Sequence, residues 1–315
     1  MKLLISRRLP ESVMAAAEAR FDVTCRTTTQ PMTHEDCVAA LEGYDFVLPT
    51  LGDAFRAEAF AAVPAPRCKL LANFGAGFNH IDVAAARAAG VAVTNTPGAV
   101  TDSTADIALT LILMTARRAG EGERLVRSGG WTGWHPTQLL GLHVSGKTVC
   151  IIGMGRIGQA IARRCHFGFG CRVVYVNRSR KSVDFPAEQL EMAEALGLAD
   201  VVVVATPGGV ETHHLVGAEV FAAMQPHAIF VNIARGDIVD EAALIAALQA
   251  GRIAGAGLDV YEFEPEVPEA LRVMENVTLL PHLGTSALEP REDMGRMALD
   301  NLIAFAEGRS LPNPV

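Results

Sequence analysis

The sequence predicts an α/β protein built as two doubly wound parallel-sheet domains. Short apolar segments of strand character alternate with helical segments in the first part of the chain and again from Thr148 onward. That alternation is the mark of βα units, whose sheet is parallel and covered on both faces. Residues 148–158, T-V-C-I-I-G-M-G-R-I-G, set an apolar strand, a glycine turn and a helix start in that order. A chain of 315 residues is also too long for one small core, so two domains are expected.

In the first half, strands are expected at Lys2–Ile5, Phe21–Cys25, Phe46–Leu48, Lys69–Ala72 and Val91–Thr94. Between them lie helices at Glu11–Ala19 after Pro10, His34–Leu41 with Thr33 as N-cap, Ala54–Ala62, and Asp82–Ala89 stopped by Gly90. The turn formers N-T-P-G-A-V at 95–100 mark a domain boundary. A long helix is expected from Ser103 to Ser128, apolar and buried on most sides at first, polar in its later R-R-A-G-E-G-E-R. Residues Gly129–Val144 hold both tryptophans without periodicity and read as an extended loop.

The second half begins with strand Thr148–Ile152, helix Arg156–His166 and a strand ending at Asn177. Strand Val201–Ala205, helix Gly217–Ala223, strand Ile229–Ile233 and helix Glu241–Ala250 follow, then strands Ala254–Asp259 and Val277–Leu280. The last helix, Ala287–Glu307, is expected to return to the first domain. The domains are therefore 1–96 plus 286–315, and 97–285 with an arm at about 100–145. No sequence repeat is present.

A net charge of −8 argues against general nucleic-acid binding, which needs a basic surface. No apolar run approaches the roughly 18 residues of a membrane span, and the N-terminal apolar run is short for a secretory signal. The six cysteines lack C-x-x-C, disulfide-framework or zinc spacing, so free thiols, no metal and a cytoplasmic setting are expected.

In the glycine loop, Gly153 permits the tight turn, Gly155 admits a pyrophosphate to the backbone, and Gly158 lets helix pack on strand. Met154, Arg156 and Ile157 complete this dinucleotide cradle at a helix N-terminus. An acidic residue at the end of the second strand would favour NAD. Asn177 stands there, followed by Arg178, Ser179, Arg180 and Lys181. Arginine beside serine suits a 2′-phosphate, so NADP is expected, with NADPH preferred and NAD possible. A solvated basic turn would look the same.

Arg235 follows an apolar strand at its carboxyl end, where open α/β sheets bind ligands, although a surface-loop arginine fits equally. Glu262, Glu264 and Glu266 form an acidic run, and spacing alone does not choose among them. His282 ends another strand, whereas the other eight histidines lack such a setting.

Taken together, these motifs resemble the D-2-hydroxyacid dehydrogenase family, and within it the glyoxylate/hydroxypyruvate reductases. The resemblance covers almost the whole chain: N-F-G-A-G-F-N-H-I-D, V-T-N-T-P, T-A-D-I-A-L, G-M-G-R-I-G, N-I-A-R-G-D-I-V-D-E, G-A-G-L-D-V-Y-E-F-E-P and P-H-L-G-T-S. It implies Rossmann-like and flavodoxin-like domains separated by a cleft. It implies that Arg235 binds the substrate carboxylate and polarises the 2-keto group, that His282 is the general acid, and that Glu264 holds its imidazole. It further implies substrate contacts from the Ala76 and Gly77 amides, Leu51 and Trp134, the last reaching a second subunit of a homodimer. Thr104, Thr206, Ile233, Asp259 and Gly284 would line the cofactor. The implied reaction is NADPH-dependent reduction of glyoxylate and hydroxypyruvate. Another 2-keto acid, aryl or sugar-derived, would use the same chemistry, and a non-catalytic nucleotide-sensing co-regulator the same fold.

Overall fold

The computed structural model describes residues 1–315, which divide into two compact units, Met1–Val100 with Thr285–Val315, and Thr101–Gly284. In the first unit, strands β1 (Lys2–Ile5), β2 (Asp22–Cys25), β3 (Phe46–Leu48), β4 (Leu70–Ala72) and β5 (Ala92–Thr94) form a parallel sheet in the order β2-β1-β3-β4-β5. The connecting helices are α1 (Glu11–Glu18), α2 (His34–Gly43), α3 (Ala57–Ala62) and α4 (Val83–Ala88). Thr33 does cap α2, in a reciprocal capping box with Asp36. Asp82 precedes α4 as its cap, its carboxylate accepting the Ala85 amide at 2.9 Å.

The second unit carries seven parallel strands in the order β12-β11-β10-β9-β6-β7-β8. These are β6 (Thr148–Ile152), β7 (Arg172–Val176), β8 (Ala187–Gln189), β9 (Val201–Val204), β10 (Ile229–Asn232), β11 (Gly255–Leu258) and β12 (Val277–Leu279). Along the central strands, successive side chains enter opposite cores. Cys150, Ile152, Val202 and Val204 pack on one side, and Val149, Ile151, Val201 and Val203 on the other. A strand buried on both faces must be apolar at every position, which is why V-V-V-V and V-C-I-I read without alternation. The strand order reverses between β6 and β9, the place where a doubly wound sheet opens its ligand crevice.

The expected helix Ser103–Ser128 is two helices. It ends at Ala116 as α5 (Thr101–Ala116) and resumes as α6 (Ala119–Arg127), with Arg118 left-handed at φ 52°. The cause is tertiary. The Leu142 amide donates to the Ala116 carbonyl at 2.7 Å, and a Cβ on Gly141 would lie 2.1 Å from that oxygen, so the returning chain caps α5. Helix α7 (Arg156–Phe169) runs beyond His166 and stops at left-handed Gly170. Three short elements, β8, α8 (Met192–Leu198) and α11 (Glu269–Val273), join α9 (Ala218–Ala223) and α10 (Glu241–Gln249) without having been expected. The last helix, α12 (Leu288–Ala306), packs in the first unit, where Gly295 meets Val13 of α1. No helix is long and apolar enough to cross a membrane.

Close packing of α7 on β6 depends on Gly158, where an added Cβ would lie 2.1 Å from the Gly153 carbonyl oxygen. Gly158→Ala should cost about 1–3 kcal/mol by overpacking. The urea midpoint should fall, and an unchanged midpoint would refute this account of the contact.

Candidate active site

At the crevice between β6 and β9, the chain leaves β6 through Gly153 at φ +102°. A Cβ there would lie 2.7 Å from the Thr206 amide, so this turn admits only glycine. Gly155, by contrast, has nothing within 4 Å of its Cβ position, which leaves its backbone open to a large anion. The first amides of α7 follow at once, and the hydroxyl of Thr206 is buried with no hydrogen-bond partner. An orphaned buried hydroxyl is costly, and a polar ligand group would satisfy it. These features fit a dinucleotide diphosphate. Met154 is buried, Ile157 part-buried and Arg156 exposed around the turn.

The basic turn after β7 departs from expectation in one respect. Asn177 faces the glycine loop, its Oδ1 accepting the Met154 amide at 3.1 Å and its Nδ2 donating to the Ser179 carbonyl at 2.7 Å. The Tyr175 hydroxyl accepts the Lys181 amide at 3.1 Å and braces the far side. Arg178, expected at a 2′-phosphate, is instead paired with Glu211 at 2.7 Å. Both partners are exposed, and such a pair contributes only about 0–1 kcal/mol, so a phosphate can compete for the guanidinium. Ser179 and Arg180 are exposed beside it.

The charged groups meet at the ends of β10, β11 and β12. Asn232, the last residue of β10, is buried, and its side chain closes the following turn. It accepts the Ala234 amide at 3.0 Å and donates to the Arg235 carbonyl at 2.9 Å. Arg235 Nη1 donates to the Ala234 carbonyl at 2.6 Å. Gly236 must be glycine, since a Cβ would lie 1.8 Å from the Tyr261 carbonyl. That contact sets the Arg235 turn against the loop bearing Glu264. Burial lowers the Arg235 guanidinium from its ordinary value, while Glu264 and Asp237 act to raise it, and arginine stays ionised at any neutral pH.

His282 Nδ1 and Glu264 Oε2 are 2.9 Å apart, and Glu264 Oε1 accepts the Tyr261 amide at 3.0 Å. The Tyr261 hydroxyl donates to the Leu280 carbonyl at 2.9 Å, joining this loop to the end of β12. His282 is left-handed at φ 55°, a conformation uncommon outside glycine. Asp259 holds it there. Its carbonyl accepts the His282 amide at 3.0 Å, and its carboxylate accepts the Leu283 and Gly284 amides at 2.6 and 2.8 Å. Thr104 and Asp259 both lie against Gly284, and Ile233 is buried just beyond β10. Of the three glutamates left open by spacing, Glu264 is the one on His282. Glu262 bonds His214 at 2.7 Å, and Glu266 is exposed.

In the first unit, every carbonyl from Gly75 to Gly77 is turned toward the protein. Asn73 Nδ2 donates to Gly75 and Gly77 at 3.0 Å each, and Asn95 Nδ2 to Ala76 at 2.7 Å. His80 bonds the other end of the Asn73 amide at 3.0 Å. In trans peptides the Ala76 and Gly77 N–H groups then point away from the bonded Gly75 and Ala76 carbonyls. Leu51 is exposed on a loop whose carbonyl accepts Arg7 Nη1 at 2.9 Å. Trp134 is 78% exposed. Asn73, His80, Asn95, Asn232 and Tyr261 were not singled out by sequence, although four of them lie inside or beside the glycine-containing motifs.

Burial alone would raise the Glu264 carboxyl, but the His282 hydrogen bond and charge, the Tyr261 amide and Arg235 together hold it below its ordinary 4.5. A depressed carboxyl adds stability above its ordinary value and loses it as pH falls through the folded value. Wild type should therefore be more stable than Glu264→Gln near neutrality, and the gap in urea midpoint should close on acidification from 4.5 downward. A gap independent of pH would refute the carboxylate's contribution.

Residues 109–284 match the family described as D-isomer specific 2-hydroxyacid dehydrogenase, NAD binding domain. Over 321 aligned residues the chain is 42% identical to the glyoxylate reductase of Thermococcus onnurineus, covering 100% of this chain and 95% of that protein. The NADPH-dependent glyoxylate/hydroxypyruvate reductase of Sinorhizobium meliloti, solved with NADP and malonate, is similar at TM-score 0.87 and 34% identity, over 100% of this chain and 96% of that one. The D-mandelate dehydrogenase of Rhodotorula graminis is similar at TM-score 0.85 and 30% identity, over 100% and 97%. Likeness of this extent places the chain in the D-isomer specific 2-hydroxyacid dehydrogenase family, as an NAD(P)-dependent 2-hydroxyacid dehydrogenase or reductase.

Proposed function

We propose that this protein reduces the small 2-keto acids glyoxylate and hydroxypyruvate to 2-hydroxy acids, with NADPH as the preferred donor. The observation that carries this reading is the His282 imidazole bonded to Glu264, with the half-buried Arg235 close enough to act on the Glu264 carboxylate. The nicotinamide, when bound, supplies hydride to C2 of the substrate. Negative charge then grows on the C2 oxygen. The Arg235 guanidinium stabilises it, and His282 delivers a proton from Nε2, the ring nitrogen not used by Glu264. Glu264 fixes the ring's orientation through Nδ1 and leaves Nε2 to the substrate. The Ala76 and Gly77 amides take the substrate carboxylate, and residues 1–96 with 286–315 serve as the substrate domain to the cofactor domain 97–285.

NADPH preference rests on Ser179 and Arg180 at the end of β7, with no carboxylate at Asn177 to accept a ribose 2′-hydroxyl. The relative from Sinorhizobium meliloti is described as NADPH-dependent, which agrees. The similarity to a D-mandelate dehydrogenase favours a second reading, the same chemistry on an aryl 2-keto acid. A non-catalytic co-regulator would not need the Arg235, Glu264 and His282 set to be intact. The arm supports a homodimer, because α6 has no buried residue and Trp131, Trp134 and Leu140 beside it are all exposed.

The reaction is tested by turnover of glyoxylate, hydroxypyruvate and an aryl 2-keto acid, each with NADPH and NADH. The two small acids with NADPH should give the highest kcat/KM. A preference for NADH would remove the cofactor assignment, and a preference for the aryl acid the substrate one. His282→Ala should lose about 10²–10⁴-fold in kcat, and Arg235→Ala should worsen both KM and kcat. Near-normal turnover in both variants would discard the proposed roles. Sedimentation velocity should show a dimer, in which Trp134→Ala raises KM. A monomer would end the interface proposal.

A further inference from the structure

His213, His214 and Glu262 gather three metal-ligating side chains outside the catalytic cluster. One donor atom from each lies within 4.8 Å of the other two. The two imidazoles, adjacent in sequence, stack with centroids 4.0 Å apart and planes at 25°, and a turn of either ring would bring its nitrogen toward the Glu262 carboxylate. His214 Nε2 is 2.7 Å from Glu262 Oε1. His213 forms no hydrogen bond through its ring, and both histidines are exposed.

The charge around the cluster points the same way. The Glu241 and Glu262 carboxylates approach each other, each accepting the other's backbone amide, at 3.4 and 3.3 Å. Neither carboxylate has a lysine or arginine partner, and Glu262 has only His214. Two imidazoles beside uncompensated negative charge call for a cation that carries two charges and accepts nitrogen.

We propose that His213, His214 and Glu262 bind a divalent transition cation of the zinc type, whose charge also offsets that of Glu241. Imidazole nitrogen and carboxylate oxygen bind zinc at about 2.0–2.2 Å, usually in fours, so water completes the set. Magnesium and calcium demand oxygen ligands and are excluded by the two imidazoles. Binding exchanges the His214–Glu262 hydrogen bond for two metal bonds and draws in the His213 ring. The ligand atoms come from two loops of the same unit. The histidines end the segment that follows Thr206, and Glu262 lies in the loop that carries Glu264. The cation would therefore fasten the cofactor-side loop to the acid–base loop. A glutamate 48 residues from the histidine it meets leaves no metal motif in the sequence.

The test is a zinc titration of untagged, chelator-treated protein, followed by calorimetry and thermal unfolding. One Zn2+ per chain should bind and raise Tm, and Mg2+ should do neither. His213→Ala keeps the His214–Glu262 bond and the catalytic cluster. It should weaken zinc binding at least about tenfold and remove the Tm rise while far-ultraviolet circular dichroism stays unchanged. Absence of saturable zinc binding would overturn the proposal, and so would binding that His213→Ala leaves unaltered. Neither readout depends on turnover, so failure here and failure of the proposed reaction are separate results.

Discussion

Asp259 is almost wholly buried, and through its carbonyl and carboxylate it binds three consecutive amides, those of His282, Leu283 and Gly284. The left-handed backbone of His282 costs about 1–3 kcal/mol in a residue other than glycine. Hydrogen bonds to a charged group contribute about 1.5–3 kcal/mol each, so two of them outweigh that cost. Burial raises the Asp259 carboxyl, while the two amides and the His282 charge act to lower it. The proposed general acid is thus aimed by a residue one strand earlier in the chain, at the end of β11. Glu264 can meet the imidazole only because Asp259 has already fixed where the ring stands.

The same dependence on close backbone approach recurs through the second unit. Gly153 sets the β6 turn against Thr206, Gly158 sets α7 on β6, and Gly236 sets the Arg235 turn against Tyr261. Each of these glycines brings two main chains within a distance that a Cβ forbids. Dinucleotide cradle, guanidinium and imidazole therefore share one scaffold of main-chain contacts. Their mutual positions do not rest on flexible side chains alone.

These dependencies explain which features could be read before the structure. The strands of the second unit were legible because burial on both faces demands unbroken apolar runs, as in Val201–Val204. The glycine loop was legible because its constraint is local, within a few residues. The break between α5 and α6 was not, since its cause lies at Gly141 and Leu142, far along the chain. Strand β8, three residues on a sheet edge with two of them exposed, has no apolar pattern to detect. The Arg178–Glu211 pair was hidden as well, because nothing local announces Glu211 as a partner. The bracing of Gly75–Gly77 by Asn73 and Asn95 was equally hidden, because amide side chains carry no periodicity.

The acidic run shows the limit most clearly. Glu262 and Glu264 are two apart, and in an extended strand they would share one face. The turn closed by the Glu266 amide on the Phe263 carbonyl, at 2.8 Å, separates them. Glu264 is further held by the Tyr261 amide, which directs its second oxygen to His282, whereas Glu262 turns to His214 and Glu241. One short loop thus divides its carboxylates between two sets of imidazoles, and the division follows from hydrogen bonds that spacing does not encode. The carboxylate that feels the Arg235 charge and bonds His282 suits the proposed role in proton transfer. The one facing two exposed histidines, with a second carboxylate behind it, meets the chemical requirements of a cation site.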